Sequence, residues 1–161
     1  MRQRLIDRIH IALPAEEAFQ LFTPSGEREW GGDGWDPTFP VPTSDDSEPG
    51  TVFETDAHGR RTTWLVTERV WGRRIAYAQV IPGERAGSVT VTLDAAEGGS
   101  EAEVVYELTP LSEAGAHHLK QFADGYSDFL QSWEDEIAAC LAKRAVLAQE
   151  KEAQRSASSE I

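Results

Sequence analysis

The strongest pattern in the sequence is an apolar stripe in its C-terminal third. Its members recur at spacings of three and four residues, which is the period of one face of an α-helix. Because Ser112 is a suitable N-cap, the pattern predicts one amphipathic helix from Ser112 to about Glu152. At about 1.5 Å per residue this helix would be roughly 60 Å long, so its last turns would project from a domain of this size. The stripe consists of Leu119, Phe122, Tyr126, Phe129, Trp133, Ile137 and Cys140.

The N-terminal segment alternates apolar and polar positions, which predicts a strand over Arg2–Leu13. Pro14 and the two glutamates that follow it are typical of the first turn of a helix. Thr23 and Pro24 repeat this start signal, with Thr23 as the cap. We therefore expect two short helices after the first strand, the second ending near Trp30.

Residues 51–108 contain short alternating segments separated by turns rich in glycine and proline. This spacing is typical of consecutive antiparallel strands joined by hairpins. In the second of these strands, Trp64, Val66 and Val70 share the parity of one face, and His58 with Gly59 forms the predicted turn before it. The five predicted strands are Thr51–Ala57, Arg61–Trp71, Arg74–Ile81, Ser88–Leu93 and Glu101–Leu108.

Residues 31–50 read as a loop of about twenty residues, rich in glycine, proline and acidic side chains. A loop of this length within a compact domain is usually functional or disordered. It also contains Trp35 and Phe39, which a solvated linker would not need. Two interpretations stay open: a lid or rim segment, or a mobile connector that buries two aromatic rings.

The predicted elements give an α+β fold in one domain, residues 1–152, followed by a frayed polar tail, residues 153–161. A twisted six- or seven-stranded antiparallel sheet curves, and its concave face must be covered. The long C-terminal helix is the element that is long and apolar enough to cover it. Because a straight helix cannot touch a curved sheet everywhere, we expect a cavity between them, the usual form of a small-molecule site.

Composition narrows the possible partners. The chain has 28 acidic and 15 basic residues and a formal net charge of −13. Such a surface repels phosphate backbones and anionic membranes, so we expect no nucleic-acid binding and no docking to an anionic membrane. Because no stretch is apolar enough to span a bilayer, we also expect no membrane insertion. The single cysteine, Cys140, excludes an internal disulfide and fits a reducing compartment. No apolar run follows Met1, so we expect no signal peptide and a cytoplasmic protein.

Several local motifs resemble one protein superfamily. The segment Ala12-Leu13-Pro14-Ala15-Glu16-Glu17-Ala18-Phe19, then Phe22-Thr23-Pro24 and Trp30, resembles the opening of SRPBCC proteins. Trp64, the segment Tyr106-Glu107-Leu108-Thr109 and the helix through Trp133 are also similar, so the resemblance covers about residues 2–142. It implies the helix-grip fold of START lipid-transfer domains, polyketide cyclases and Aha-type chaperone activators. It further implies a hydrophobic ligand, although no catalytic signature transfers residue by residue.

The candidate ligand-binding residues are aromatic side chains and one histidine from the predicted cavity-facing elements. The alternative for each aromatic residue is an ordinary core position. Tyrosines are favoured because a buried hydroxyl needs a hydrogen-bond partner, which a ligand can supply. The candidates are Trp30, Trp35, Phe53, Trp64, Tyr77, Tyr106, His118, Phe122, Tyr126 and Phe129.

Other chemistry is not favoured by the sequence, and we expect no metal and no cofactor. His117 and His118 point about 100° apart on a helix and cannot chelate one metal from one face. The acidic residues of the long loop do not have the spacing of an EF-hand. Cys140 lies on the apolar stripe without a neighbouring base, which indicates a buried thiol rather than a nucleophile.

Three functions are compatible with the sequence. The first is binding of a hydrophobic or aromatic small molecule, lipid- or polyketide-like, in the cavity. The second is a polyketide cyclase or dehydratase, which predicts a polar cluster such as His118, Tyr126 and Glu54 within the cavity. The third is a chaperone-associated interaction protein, which predicts a filled interior and an exposed apolar patch. A homodimer through the projecting end of the helix, near Val146 and Leu147, is a further possibility.

Overall fold

The computed structural model describes residues 1–57 and 59–159, and its elements form an α+β fold. The six strands form one curved antiparallel sheet in the order β1-β6-β5-β4-β3-β2. The predicted turn at His58 lies outside the described residues. The strands are β1 Gln3–Ile11, β2 Val52–Ala57, β3 Arg60–Val70, β4 Arg74–Ile81, β5 Arg85–Ala96 and β6 Gly99–Pro110, and the helices are α1 Ala15–Gln20, α2 Glu113–Asp124 and α3 Tyr126–Ser159.

The inner face of the sheet forms the core together with the helices. Strict alternation in β5 and β6 directs one set of side chains inward, as the sequence pattern predicts. The helices α2 and α3 lie against this face, and they contribute Leu119, Leu130 and Ile137 to the core. The curved sheet and its long C-terminal helix therefore confirm the predicted fold class.

The predicted single C-terminal helix is two helices in the structure. They meet at Gly125, whose φ and ψ are −99° and 10°. Glycine has low helix propensity because its backbone loses the most freedom on ordering, so a break is least costly there. The N-cap is as predicted, because Oγ of Ser112 accepts a hydrogen bond from the backbone N–H of Gly115 at 2.9 Å. The apolar stripe continues across the break, from Leu119 to Ile137.

The second short helix and one strand differ from the sequence pattern. After Pro24 the chain forms a 3₁₀ turn, Gly26–Glu29, and Oγ1 of Thr23 accepts a hydrogen bond from the N–H of Gly26 at 3.1 Å. In β3 the register shifts between Val66 and Glu68. This bulge reverses the parity of the residues after it, so Val70 is exposed instead of sharing the inner face with Val66.

The long loop, residues 31–50, is fastened to the sheet. Thr38 forms an isolated bridge with Glu54 of β2, and Phe39 packs on Phe53 with ring centroids 5.8 Å apart. Farther along, the carboxylate of Asp45 accepts hydrogen bonds at 2.8 Å from the guanidinium of Arg69. These contacts hold the loop along the β2 edge of the sheet, which agrees with the rim interpretation of the two that the sequence left open.

The far end of α3 extends beyond the core. Residues 142–159 of this helix are all exposed, including Val146 and Leu147. The predicted tail, residues 153–161, overlaps the end of α3, and residues 160–161 lie outside the described range. Within the part of the chain that the structure describes, no helix has the length and apolarity needed to cross a membrane.

Candidate functional site

A cavity of about 670 Å³ lies between the inner face of the sheet and the two C-terminal helices. Strands β2–β6 form its floor and sides, α2 and α3 form its roof, and the start of the long loop forms its rim. Its lining combines aromatic side chains with several polar ones. Among the lining residues are Glu27, Trp30, Trp35, Thr62, Trp64, Tyr77, Gln79, Glu84, Arg85, Val89, Val91, Tyr106, His118, Phe122, Phe129, Trp133 and Glu136.

Two groups of aromatic rings face each other across this space. On the sheet side, Trp64 lies beside Trp35 with ring centroids 5.5 Å apart in an edge-to-face arrangement. On the helix side, Phe129 lies between Phe122 and Trp133, at 5.1 Å and 5.3 Å. Because aromatic pairs in these geometries stabilise each other, the walls are held in place without a ligand.

Eight of the ten predicted residues line the cavity, and two lie behind its wall. The eight are Trp30, Trp35, Trp64, Tyr77, Tyr106, His118, Phe122 and Phe129. Phe53 is completely buried and stacks behind Trp64, with centroids 5.9 Å apart and nearly parallel rings. Tyr126 is also buried, and its hydroxyl donates to the carbonyl oxygen of Val104 at 2.7 Å. These two residues support the wall and are not placed to contact a ligand directly.

The three tyrosines differ in how their hydroxyls are satisfied. The hydroxyl of Tyr77 donates to the carbonyl oxygen of Phe22 at 2.6 Å, and that of Tyr126 donates to Val104. The hydroxyl of Tyr106 has no hydrogen-bond partner among the described residues. Burial raises the pKa of Tyr106, so its hydroxyl stays protonated and can donate. Of the three, Tyr106 is therefore the one positioned to donate to a ligand.

The polar lining residues that the sequence reasoning missed include Glu27, Gln79 and Arg85. For Gln79 a signal was present, since it shares the inner parity of Ile75 and Tyr77 in β4, and the structure buries it. Glu27 lies in the 3₁₀ turn, where no periodicity predicts which side chains face inward. Arg85 begins β5 next to a hairpin, where the pattern also gave no direction.

The carboxyl group of Glu27 faces the cavity without a hydrogen-bond or ion-pair partner among the described residues. Burial disfavours its charged form and raises its pKa well above the ordinary value. Burial is the main cause that raises the pKa of Tyr77 and Tyr106, and the charge of Glu27 is a further cause for both. Glu27 is half-buried, and its carboxyl group lines the cavity where a ligand could provide the hydrogen-bond partner that the described residues do not.

We expect the replacement Glu27→Gln to make the stability of the protein less dependent on pH. In the native state Glu27 holds its proton to a higher pH than in the unfolded chain. Stability therefore falls as pH rises from the ordinary carboxyl value of 4.5 toward the raised native value. Each pKa unit corresponds to about 1.4 kcal/mol. Thermal melting of both proteins should show a higher melting temperature for the variant at pH 8 and little difference at pH 4. An equal difference in melting temperature at the two pH values would contradict a raised pKa for Glu27.

A charged cluster closes one end of the cavity. The carboxylate of Glu84, in the hairpin between β4 and β5, lies 3.0 Å from Nη1 of Arg60 and 2.9 Å from Nδ1 of His118. The hydrogen bond from His118 is the main reason that the pKa of Glu84 lies below its ordinary value. The contact between His118 and Glu84 therefore connects α2 to the hairpin. The carboxylate of Glu84 is already paired with groups of the protein itself.

The polar cluster predicted for an enzyme does not form from the residues suggested. Glu54 lies on the outer face of β2 and pairs with Arg61 at 3.2 Å. Tyr126 is engaged behind the wall, so only His118 of that group reaches the cavity. Strand parity alone left the direction of Glu54 open, and pairing with β3 fixes it.

Neither a metal site nor a reactive thiol is present among residues 1–57 and 59–159. No group of three or more His, Cys, Asp or Glu side chains there is placed to hold an ion. Cys140 is half-buried, and its thiol donates to the Glu29 carboxylate at 3.1 Å. Burial and this neighbouring carboxylate raise the pKa of Cys140, which disfavours the nucleophilic thiolate.

Structural comparison identifies the architecture. The protein MLL2253 from Mesorhizobium loti superposes with a TM-score of 0.64 at 16% identity, covering 85% of this chain and 98% of its own. The Aha1 dimer from Colwellia psychrerythraea gives 0.59 at 16% identity, covering 84% and 96%. The chain shares the fold of these proteins, which is the helix-grip fold that the sequence resemblance implied.

A third structure with this fold comes from a biosynthetic gene cluster. DynU16, a protein of the dynemicin biosynthetic locus, gives a TM-score of 0.59 at 15% identity and covers 84% of this chain. The present chain corresponds to 47% of the length of DynU16. No family model matches the sequence, and no curated protein matches it significantly. At these identities the helix-grip likeness establishes the fold alone.

Proposed function

We propose that this protein binds a hydrophobic or aromatic small molecule in the cavity between its sheet and its C-terminal helices. The single observation that carries the proposal is the open space of about 670 Å³ lined by aromatic rings on opposing walls. A core evolved only for stability would be filled to the density of an organic crystal. The size and the largely apolar lining are those of small-molecule sites in general.

The polar lining residues support an amphipathic ligand rather than a pure hydrocarbon. Gln79 and Tyr106 belong to buried residues of the sheet and line the cavity, and neither the amide of Gln79 nor the hydroxyl of Tyr106 forms a hydrogen bond with the described residues. Buried polar groups are normally paired, and a ligand with oxygen or nitrogen atoms would pair them. Aromatic ketones and phenols combine flat rings with such atoms.

The test is binding of N-phenyl-1-naphthylamine, an uncharged aromatic probe whose fluorescence rises in apolar surroundings. Val89 lies at the centre of the cavity floor, between Tyr77 and Tyr106 on the neighbouring strands. The indole of the variant Val89→Trp should fill the space. It should weaken the binding affinity of the probe by at least about tenfold, or about 1.4 kcal/mol.

The matched control is Thr90→Trp, one residue along β5 on the opposite face of the sheet. It adds the same indole outside the cavity and should leave probe affinity unchanged. Thermal melting of each variant shows whether the fold is kept. Absence of probe binding by the wild-type protein, or equal weakening by both variants, would refute a ligand cavity.

Enzymatic turnover of a bound polyketide-like substrate is a second candidate, favoured by Glu27. Its raised pKa keeps a proton on a carboxyl group that lines the same cavity as Tyr106, and a protonated acid within a cavity is a common general acid. Product formation from an aromatic polyketone, lost in Glu27→Gln while probe binding persists, would support this activity.

An interaction role is less well supported, because it predicts a filled interior and the cavity is open. Location in the cytoplasm and a homodimer through the exposed end of α3 stay predictions. The Aha1 structure is a dimer. Whether this chain also forms a dimer can be measured by light scattering.

A further inference from the structure

The cavity contains one guanidinium group that no carboxylate of the described chain neutralises. Arg85 extends from the start of β5, and its guanidinium carbon lies 4.6 Å from the centroid of the Phe122 ring. Both side chains line the cavity. The Nε atom of Arg85 is buried and has no hydrogen-bond partner, and no carboxylate of the described residues lies within 4.0 Å of the group.

The nearest candidate counter-ion is already engaged. Glu84 directly precedes Arg85, but its carboxylate accepts from Arg60 and His118 at 3.0 Å and 2.9 Å. It forms no ion pair with Arg85 and attracts the Arg85 charge without a hydrogen bond. Burial lowers the pKa of Arg85, yet a guanidinium stays protonated at neutral pH. A positive charge therefore faces the cavity, held on one side by the ring of Phe122.

A second hydrogen-bond donor lies close to this charge. Arg85 and Val89 share one face of β5, and Val89 is the partner of Tyr106 in β6. Tyr106, whose hydroxyl has no hydrogen-bond partner among the described residues, packs edge-to-face on Phe122 with ring centroids 5.4 Å apart, and Arg85 lies over the same Phe122 ring. Both groups are donors, and together they would bind an anionic oxygen better than a neutral one.

We propose that the ligand of this cavity is an aromatic anion, whose acidic group binds Arg85 and Tyr106 while its rings lie between Trp64 and Phe129. This inference rests on the proposed function, since it names the chemical class of the molecule that the cavity binds. Arg85 is half-buried and its Nε is shielded from water without a partner, and a ligand carboxylate would offset the cost of that arrangement through charge-assisted hydrogen bonds. The preference would be local, because the net charge of −13 repels anions from the protein as a whole.

The experiment is displacement of N-phenyl-1-naphthylamine by either 2-naphthoate or 2-naphthamide at pH 7 and 0.15 M salt. The two competitors share one aromatic body and differ in charge. Hydrogen bonds to charged groups contribute about 1.5–3 kcal/mol, so naphthoate should compete about 10- to 100-fold better than naphthamide. The uncharged probe reports cavity occupancy independently of Arg85.

Two variants locate the preference. Arg85→Gln should reduce it to about twofold or less while the probe still binds, which also shows that the variant is folded. Arg61→Gln removes one positive charge from the outer face of the sheet, where Arg61 pairs with Glu54 and Asp56 at 3.2 Å and 3.5 Å, and should keep the preference. Equal competition by the two naphthalenes in the wild-type protein, or a preference that survives Arg85→Gln, would overturn the inference while the cavity function stands. Failure of the probe itself to bind would instead refute the proposed function.

Discussion

Replacing Phe53 with alanine should lower the free energy of unfolding by about 3–5 kcal/mol. The side chain is completely buried, and its ring contacts four other rings with centroids 5.8–5.9 Å away. Removing it leaves a void that this crowded cluster cannot close, so both the transfer energy and the packing contacts are lost. The contacting rings are Trp35, Phe39, Trp64 and Tyr77.

Urea unfolding of Phe53→Ala would measure this effect, with Val52→Ala as the matched control. Val52 precedes Phe53 in β2 but is 42% exposed on the outer face, so its truncation should cost well under half as much. The loop should also loosen, because Trp35 and Phe39 both pack on the missing ring. A loss below about 1 kcal/mol for Phe53→Ala would show that the cluster repacks and that Phe53 does not support the wall.

Replacing Gly115 with alanine should destabilise the protein by about 1–3 kcal/mol, although alanine is the better helix former. Gly115 lies buried in the first turns of α2 against the hairpin between β4 and β5. A β-carbon there would lie 3.1 Å from Cα of Glu84 and would overlap its carbonyl oxygen. Since the obstacle is backbone, the helix or the hairpin must shift.

The matched control is Gly125→Ala at the junction of α2 and α3. An added β-carbon at Gly125 meets one neighbouring atom at 3.6 Å, an ordinary contact, and its φ of −99° is accessible to alanine. This variant should be neutral or more stable by up to about 1 kcal/mol. Denaturant unfolding of both variants gives the comparison. Similar stability changes would mean that Gly115 is not the close contact that places α2 beside Glu84 and His118.

The fold could be predicted because its periodicities are long and consistent. Alternation over β5 and β6 and the stripe from Leu119 to Ile137 each continue for many residues, so burial dominates local exceptions. The structure departs from the predicted elements at two features that a hydrophobic period does not encode. A bulge after Val66 reverses the parity of Val70, and one glycine at position 125 divides the predicted helix.

The candidate site was predictable in its aromatic part and not in its polar part. Trp64, Tyr106 and Phe129 line the cavity because they occupy inward positions of long regular elements. Glu27 and Arg85 lie in or beside turns, where a single sequence does not give side-chain direction. Their chemistry becomes visible only when the fold shows which polar groups lack a partner.

The attachment of the long loop has a consequence for association between molecules. β2 is an edge strand, and an uncovered edge presents N–H and C=O groups that another chain can extend into a continuous sheet. Thr38 occupies this edge, donating its N–H to the oxygen of Glu54 and accepting from the N–H of Glu54, both at 2.9 Å. Phe39 packs on Phe53 beside this bridge. The long loop that borders the cavity therefore also covers the edge strand and prevents it from pairing with another molecule.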